Sequence, residues 1–173
     1  AKLKGNLEFN KDLGELIDVM KLAATLQFNQ FRSRQESGLE FLSSLEAALN
    51  AVSRQRIEAA FLNPRPNLPA GIILMSSDEG FLGELNFLLV NKLMDTRQAQ
   101  DRIIVLGRQG ADYLEELKLD FITSPSLDEK LKFASAQKLR DEIFSPYLKG
   151  EIGKIHIIYA RFMNITLQQI ESE

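Results

Sequence analysis

Cysteine is absent from all 173 residues. This excludes disulfides, thiolate metal sites and cysteine nucleophiles, and it is compatible with a reducing compartment. Histidine occurs once, at His156, inside an apolar run and with no serine or second histidine in register, so it reads as structural rather than catalytic. No uninterrupted apolar stretch approaches the roughly eighteen residues that a membrane span needs. The opening residues carry no signal-peptide pattern, so a membrane is expected to matter only through partners. A basic field is also missing: 21 Lys and Arg face 24 Asp and Glu, for a net charge of -3 and a pI near 5.4. Composition therefore gives no support for a nucleic-acid partner.

Proline is missing too, from Asn10 through Phe61, and that absence permits one continuous helix. Apolar or small residues recur at Leu13, Leu16, Met20, Ala24, Phe28, Phe31, Gly38, Leu42, Leu45, Leu49 and Val52, mostly three or four apart. The spacing predicts a narrow seam along one side. About fifty helical residues at roughly 1.5 Å each make a rod of order 75 Å, longer than a domain of this size can bury. Such a seam wants a second helix beside it, and Ala23, Ala24, Ser33, Ser37, Gly38, Ala47 and Ala48 would allow close approach. The partner is either another part of the protein or another chain. Arg32, Arg34, Arg54 and Arg56 form a basic cluster on this helix, which reads as a solvated face unless an acidic partner docks there.

The remaining sequence, 45% hydrophobic overall and 26% charged, has the composition of a globular protein. Three prolines within Asn63 to Gly71 end the rod and form a linker. Buried strands are expected at Gly71–Ser77, Arg102–Gly107, Leu119–Thr123 and Lys154–Ala160, with a fifth between Ile165 and Ile170. Helices are expected from Asn86 to about Arg97, with Leu85, Leu88, Leu89, Leu93 and Met94 on the inner side, and from Ala111 to Leu117. A third runs to about Tyr147 after a cap at Ser126 or Asp128, with Leu127, Leu131, Ala134, Leu139 and Ile143 inward. The short link Phe162-Met-Asn164 makes the last two strands an antiparallel hairpin. The fold class is therefore α/β: a long N-terminal helix, half of a coiled coil, over residues 1–62, a linker over 63–70, and a Rossmann-like domain over 71–173. That domain is a mostly parallel sheet of about five strands with helices on both faces.

The turn after the first strand, with Asp78, Glu79, Gly80, Gly83 and Glu84, is where such sheets bind ligands. It lacks G-x-G-x-x-G spacing and a Walker lysine, and its carboxylates repel phosphate. A metal site from Asp78, Glu79 and Glu84 has no histidine to support it. The simpler reading is an exposed acidic turn with Asp78 capping the helix that follows. Gly107-Arg-Gln-Gly110 permits a tight turn, with Arg108 open to an anion or to water. Nothing assembles an active site, and no cofactor is expected.

Specific words then become informative. Met20-Lys-Leu-Ala-Ala24 followed by Arg32 and Arg34 resembles the first helix of the gamma subunit of F-type ATP synthases. Ser77-Asp-Glu-Gly-Phe-Leu-Gly-Glu-Leu-Asn86 is similar to that family's turn after its first strand. Gly107-Arg-Gln-Gly110 and Tyr159-Ala-Arg-Phe-Met-Asn164 with Gln168 match two further family words in order. The resemblance implies a rotor, the central stalk that couples proton or sodium flow to ATP synthesis or hydrolysis by turning, with no catalysis of its own. It implies that the rod faces the catalytic alpha and beta subunits through Met20, Lys21, Ala23, Ala24, Arg32 and Arg34. The foot would meet the epsilon subunit and the membrane c-ring, with Asp78, Glu79, Gly80, Gly83 and Asn86 in a contact turn. A peripheral place on the cytoplasmic face of a bacterial membrane, or its organelle equivalent, follows from the same resemblance.

The departures are Glu79 for the family's arginine, Leu82 for its cysteine, Glu84 for the second glycine of its pair and Leu26 for a lysine. The family has a second long helix after the α/β domain, whereas this sequence starts at Ala1 and stops at Glu173. The expectation is a fragment or a diverged relative without that helix, whose seam can pair with a second copy. Two readings stand beside the rotor: a small-ligand or nucleotide-binding α/β module, and an adaptor whose helix docks on an unrelated partner.

Overall fold

The computed structural model describes residues 2–53, 65–80, 82–124, 133–164 and 167–173, with side chains in the first stretch at all but 2, 3, 35–37, 52 and 53. It forms two compact units, Ala1–Glu58 and Ala59–Glu173. The first unit is helix α1, Lys2–Ser53, of 52 residues. Propensity does not account for it, because Gly5, Gly14 and Gly38 lie inside it, each costing about 1 kcal/mol relative to alanine. A helix of this kind draws its stability from packing along its side. Arg54, Arg56 and the expected end near Phe61 lie outside the described residues, as do Leu127, Leu131, Ile165 and the cap candidates Ser126 and Asp128.

The second unit runs β1 Ala70–Met75, α2 Leu85–Thr96, β2 Arg102–Leu106, α3 Arg108–Glu116, β3 Ile122–Ser124, α4 Phe133–Lys149, β4 Lys154–Phe162 and β5 Gln168–Ser172. The five strands are ordered β3-β2-β1-β4-β5. The first four are parallel, with Ile73 opposite both Ile104 and Ile157. β5 is antiparallel to β4, with Ala160 opposite Ile170, as the short link between them requires. The mostly parallel α/β class read from the sequence is the observed one.

Chain direction explains the layers. From β1 the chain steps outward to β2 and β3, then returns past β1 to β4. Right-handed crossovers put helices of opposite travel on opposite faces. Accordingly, α2 and α3 cover a core of Ile72, Leu74, Leu89, Leu93, Ile103, Val105, Leu114 and Ile158. On the other face, α4 contributes Ile143 to a smaller core of Ile73, Ile104 and Leu106. Asp101 ties the start of the sheet together, accepting from the backbone of Ala70 through Oδ1 and of Gln98 through Oδ2, each at 2.8 Å.

Several boundaries and faces differ from expectation. Leu88 and Met94 are exposed, and the inner face of α2 is Asn86, Leu89, Val90 and Leu93. The helix is phased by the sheet it covers, so the valine faces inward and two longer side chains lie outward. Ala134 of α4 is exposed. α3 begins at Arg108, so Gly107-Arg-Gln-Gly110 is largely its first turn rather than a separate link.

Candidate functional site

Two surfaces correspond to the residues singled out in the sequence. On α1 every described side chain is exposed, including Met20, Lys21, Ala23, Ala24, Arg32 and Arg34. The Arg34 guanidinium lies 6.0 Å from the Phe31 ring centroid. The apolar residues are not confined to the expected seam. At about 100° per residue, Leu22 and Leu26 are roughly 160° and 120° round the helix from Met20. Leu22 is nonetheless 62% exposed and Met20 63%. Between Val19 and Phe28 large apolar groups therefore encircle the helix, a pattern suited to enclosure rather than to one neighbour.

The second surface is the acidic turn at the carboxyl edge of the sheet, beside the point where the chain changes direction between β1 and β4. Ser76 continues the line of β1, donating its backbone N–H to Leu106 at 2.8 Å and its hydroxyl to the same carbonyl at 2.7 Å. Ser77 is bracketed by Asn86, whose Oδ1 accepts from the Ser77 backbone at 3.1 Å and whose Nδ2 donates to the Ser77 hydroxyl at 2.9 Å. Asn86 is 5% exposed, so within this unit its amide holds the turn from inside. Asp78, Glu79, Gly83 and Glu84 are exposed and Gly80 half-buried.

Asp78 caps a helix, but not the one expected. α2 has Glu84 at its start with no side-chain cap, whereas the Arg108 N–H at the start of α3 donates to Asp78 Oδ1 at 3.1 Å. The next two N–H groups of α3 are also taken: Gln109 donates to the Ser77 carbonyl at 2.9 Å and Gly110 to the Ser76 hydroxyl at 3.0 Å. A phosphate would need those donors. In this chain a carboxylate already holds the position. Gly107 makes the approach possible, with φ of 92° and no space for a Cβ against the Ser76 carbonyl.

A cleft of about 520 Å³ adjoins this turn, lined by Asp78, Arg108, Asp112, Glu115, Ser124 and Lys138 among others. Ser124 is 2% exposed and its hydroxyl has no partner among the described residues. Among the described residues no three His, Cys, Asp or Glu side chains come close enough to hold a metal ion, so the three carboxylates of the turn do not converge. His156 is half-buried in β4, in register with Ile72. The serine hydroxyls of the turn are spent on the backbone and Asn86. One feature absent from the sequence reading is the cluster in which Tyr159 contacts both Glu171 and Glu173.

The described residues thus comprise a single long helix, apolar round part of its length, and an α/β unit in which the first three N–H groups of α3 are already taken. The ATP synthase family model matches residues 1–173, and the chain belongs to the ATP synthase gamma chain family. It is 24% identical over 186 residues to the ATP synthase gamma chain of Chloroherpeton thalassium, covering 99% of this chain and 61% of that one. It is 26% identical over 174 residues to the gamma chain of Clostridium pasteurianum, covering 97% and 62%. The chain thus spans about 60% of the length of these curated relatives. Among solved structures, a chain of the Tetrahymena thermophila mitochondrial ATP synthase central stalk and c-ring has the same fold, with a TM-score of 0.67 and 19% identity. That match covers 90% of this chain and 70% of the other. No described helix is long and apolar enough to cross a membrane.

Proposed function

We propose that the chain serves as the central-stalk, rotor subunit of an F-type ATP synthase and does its work by contact, with no catalytic group of its own. Residues 1–62 act as the rod, 63–70 as the linker and 71–173 as the foot. The rod turns inside the ring of catalytic alpha and beta subunits, presenting Met20, Lys21, Ala23, Ala24, Arg32 and Arg34 to them in turn. The foot meets the epsilon subunit and the c-ring through Asp78, Glu79, Gly80 and Gly83, with Asn86 shaping that turn from within. Proton or sodium flow through the membrane ring is thereby coupled to ATP synthesis or hydrolysis. The complex holds the subunit at the cytoplasmic face of the membrane, peripherally.

The observation that carries this reading is the family match over the whole chain, joined to a 52-residue helix with apolar groups on all sides of its middle. A nucleotide-binding module is less favoured, because Asp78 occupies the seat that a phosphate would take at α3. Co-purification from the native cell tests the proposal. Recovery of the catalytic alpha and beta subunits with this chain is expected, and their absence overturns it.

A second copy is the alternative occupant of the helix seam when the assembly is missing, favoured by the exposure of Leu13, Leu16, Leu42, Leu45 and Leu49.

A further inference from the structure

Arg65 lies in the proline-rich approach to β1, outside any helix or strand, and its side chain is committed to α4. Its Nη1 donates to the Tyr147 carbonyl at 2.9 Å, and the guanidinium lies 5.3 Å from the centroid of the Tyr147 ring. Tyr147 is 6% exposed, and its carbonyl is among the last of α4, where the helix presents negative partial charge. That carbonyl also accepts from Gly150 at 3.1 Å. The Arg65 carbonyl accepts from Leu68 at 3.2 Å and lies so close to Gly153 that a Cβ there would collide with it. Gly153 in turn donates to the Pro69 carbonyl at 2.9 Å. Pro66 and Pro69 hold φ within the same five residues, so the clasped segment is stiff as well as fastened.

We propose that this clasp is the anchor by which the α/β unit grips the polypeptide arriving from α1, with Arg65 as the positioning residue through which turning force is handed on. The transmission part rests on the rotor reading above. A guanidinium at a helix end, stacked on a buried ring, resists both sliding and twisting, which a hydrated linker does not. Stiffness at the entry keeps the foot from lagging behind the chain that precedes it.

The test compares wild type, Arg65→Ala and Arg65→Lys, the last keeping charge while losing the planar fork. Hydrogen exchange is read at the Leu68 and Gly153 amides, and ion pumping per ATP hydrolysed is read on the complex isolated with each chain. Arg65→Ala is expected to speed exchange at those amides about ten- to a hundredfold, the scale of one hydrogen bond to a charged group. Exchange in β1 should stay unchanged, and pumping per ATP should fall. Arg65→Lys is expected to lie between the two. Unchanged exchange overturns the anchor. Faster exchange with an unchanged pumping ratio overturns the transmission role alone. If the wild-type chain is missing from the complex, the rotor reading fails and the transmission role with it, while the exchange result still decides the anchor.

Discussion

The carboxylate of Asp78 accepts the first backbone N–H of α3, at Arg108, across 30 residues of sequence and 3.1 Å of space. A loop after one strand thereby caps the helix after the next, and the carboxyl edge of the sheet is closed by the protein's own anion. Asp78→Ala is expected to destabilise the α/β unit by about 1 kcal/mol, the usual cost of losing a helix cap, and Asp78→Asn by less because an amide oxygen still accepts. Urea unfolding followed by circular dichroism measures both. An unchanged midpoint for Asp78→Ala would show the contact to be idle.

Gly107 is required twice over, by its φ of 92° and by the Ser76 carbonyl that leaves no room for a side chain. Gly107→Ala is expected to cost roughly 2 kcal/mol or more, since positive-φ strain of about 1 to 3 kcal/mol adds to a steric clash. The thermal midpoint of the α/β unit reports it, and a shift within error would contradict the close approach.

In the core, Leu74 of β1 is fully buried on the face of the sheet that α2 and α3 cover. Leu74→Ala removes packed methyl groups and leaves a cavity, with an expected loss of about 2 to 5 kcal/mol. Phe87→Ala, on the exposed side of α2, is the control and should stay within about 0.5 kcal/mol of wild type. A loss at Phe87 as large as that at Leu74 would mean that Phe87 packs inward and that the outer face of α2 is wrongly assigned.

Tyr159 lies opposite Glu171 across the hairpin. Its hydroxyl is 3.0 Å from Glu171 Oε2 and 3.0 Å from Glu173 Oε1. The hydrogen bond to Glu173, then burial, then the Glu171 contact, push the phenol up to about 12. The fold favours the protonated phenol, so the unfolded chain loses this proton first as pH rises. The stabilisation is complete below about pH 10 and is lost as pH climbs through about 12. Phenolate absorbance should show one of the three tyrosines titrating late, and Glu173→Gln should move it back toward the ordinary value. A late tyrosine that ignores this change would assign the shift to another cause.

The exposed apolar residues of α1 predict association when the isolated chain is concentrated. Light scattering should show a mass that rises with concentration, and Leu16→Glu with Leu45→Glu should abolish the rise. A chain that stays monomeric throughout would show that the seam does not pair with itself.

Local chemistry determined what can be read along one element. The missing prolines between Asn10 and Phe61 allow α1, the β-branched runs at Ile72–Ile73 and Ile103–Val105 make buried strands, and a link too short for a crossover after Phe162 allows only a hairpin return. These are properties of neighbours in the chain, set by backbone sterics and periodicity. Tertiary structure decided which elements meet. Sequence spacing assigned Asp78 to α2, because the helix start nearest in the chain is the natural one to cap. The β3-β2-β1-β4-β5 order places the start of α3 beside it instead. The resemblance puts Asn86 in a contact turn, yet the same turn buries it against Ser77. Arg65 stands among the prolines of the linker, and nothing near it in sequence announces that the end of α4 lies beside it. Each of these depends on a partner far away in sequence, and only the packing of the sheet with its helices brings such partners within hydrogen-bond range.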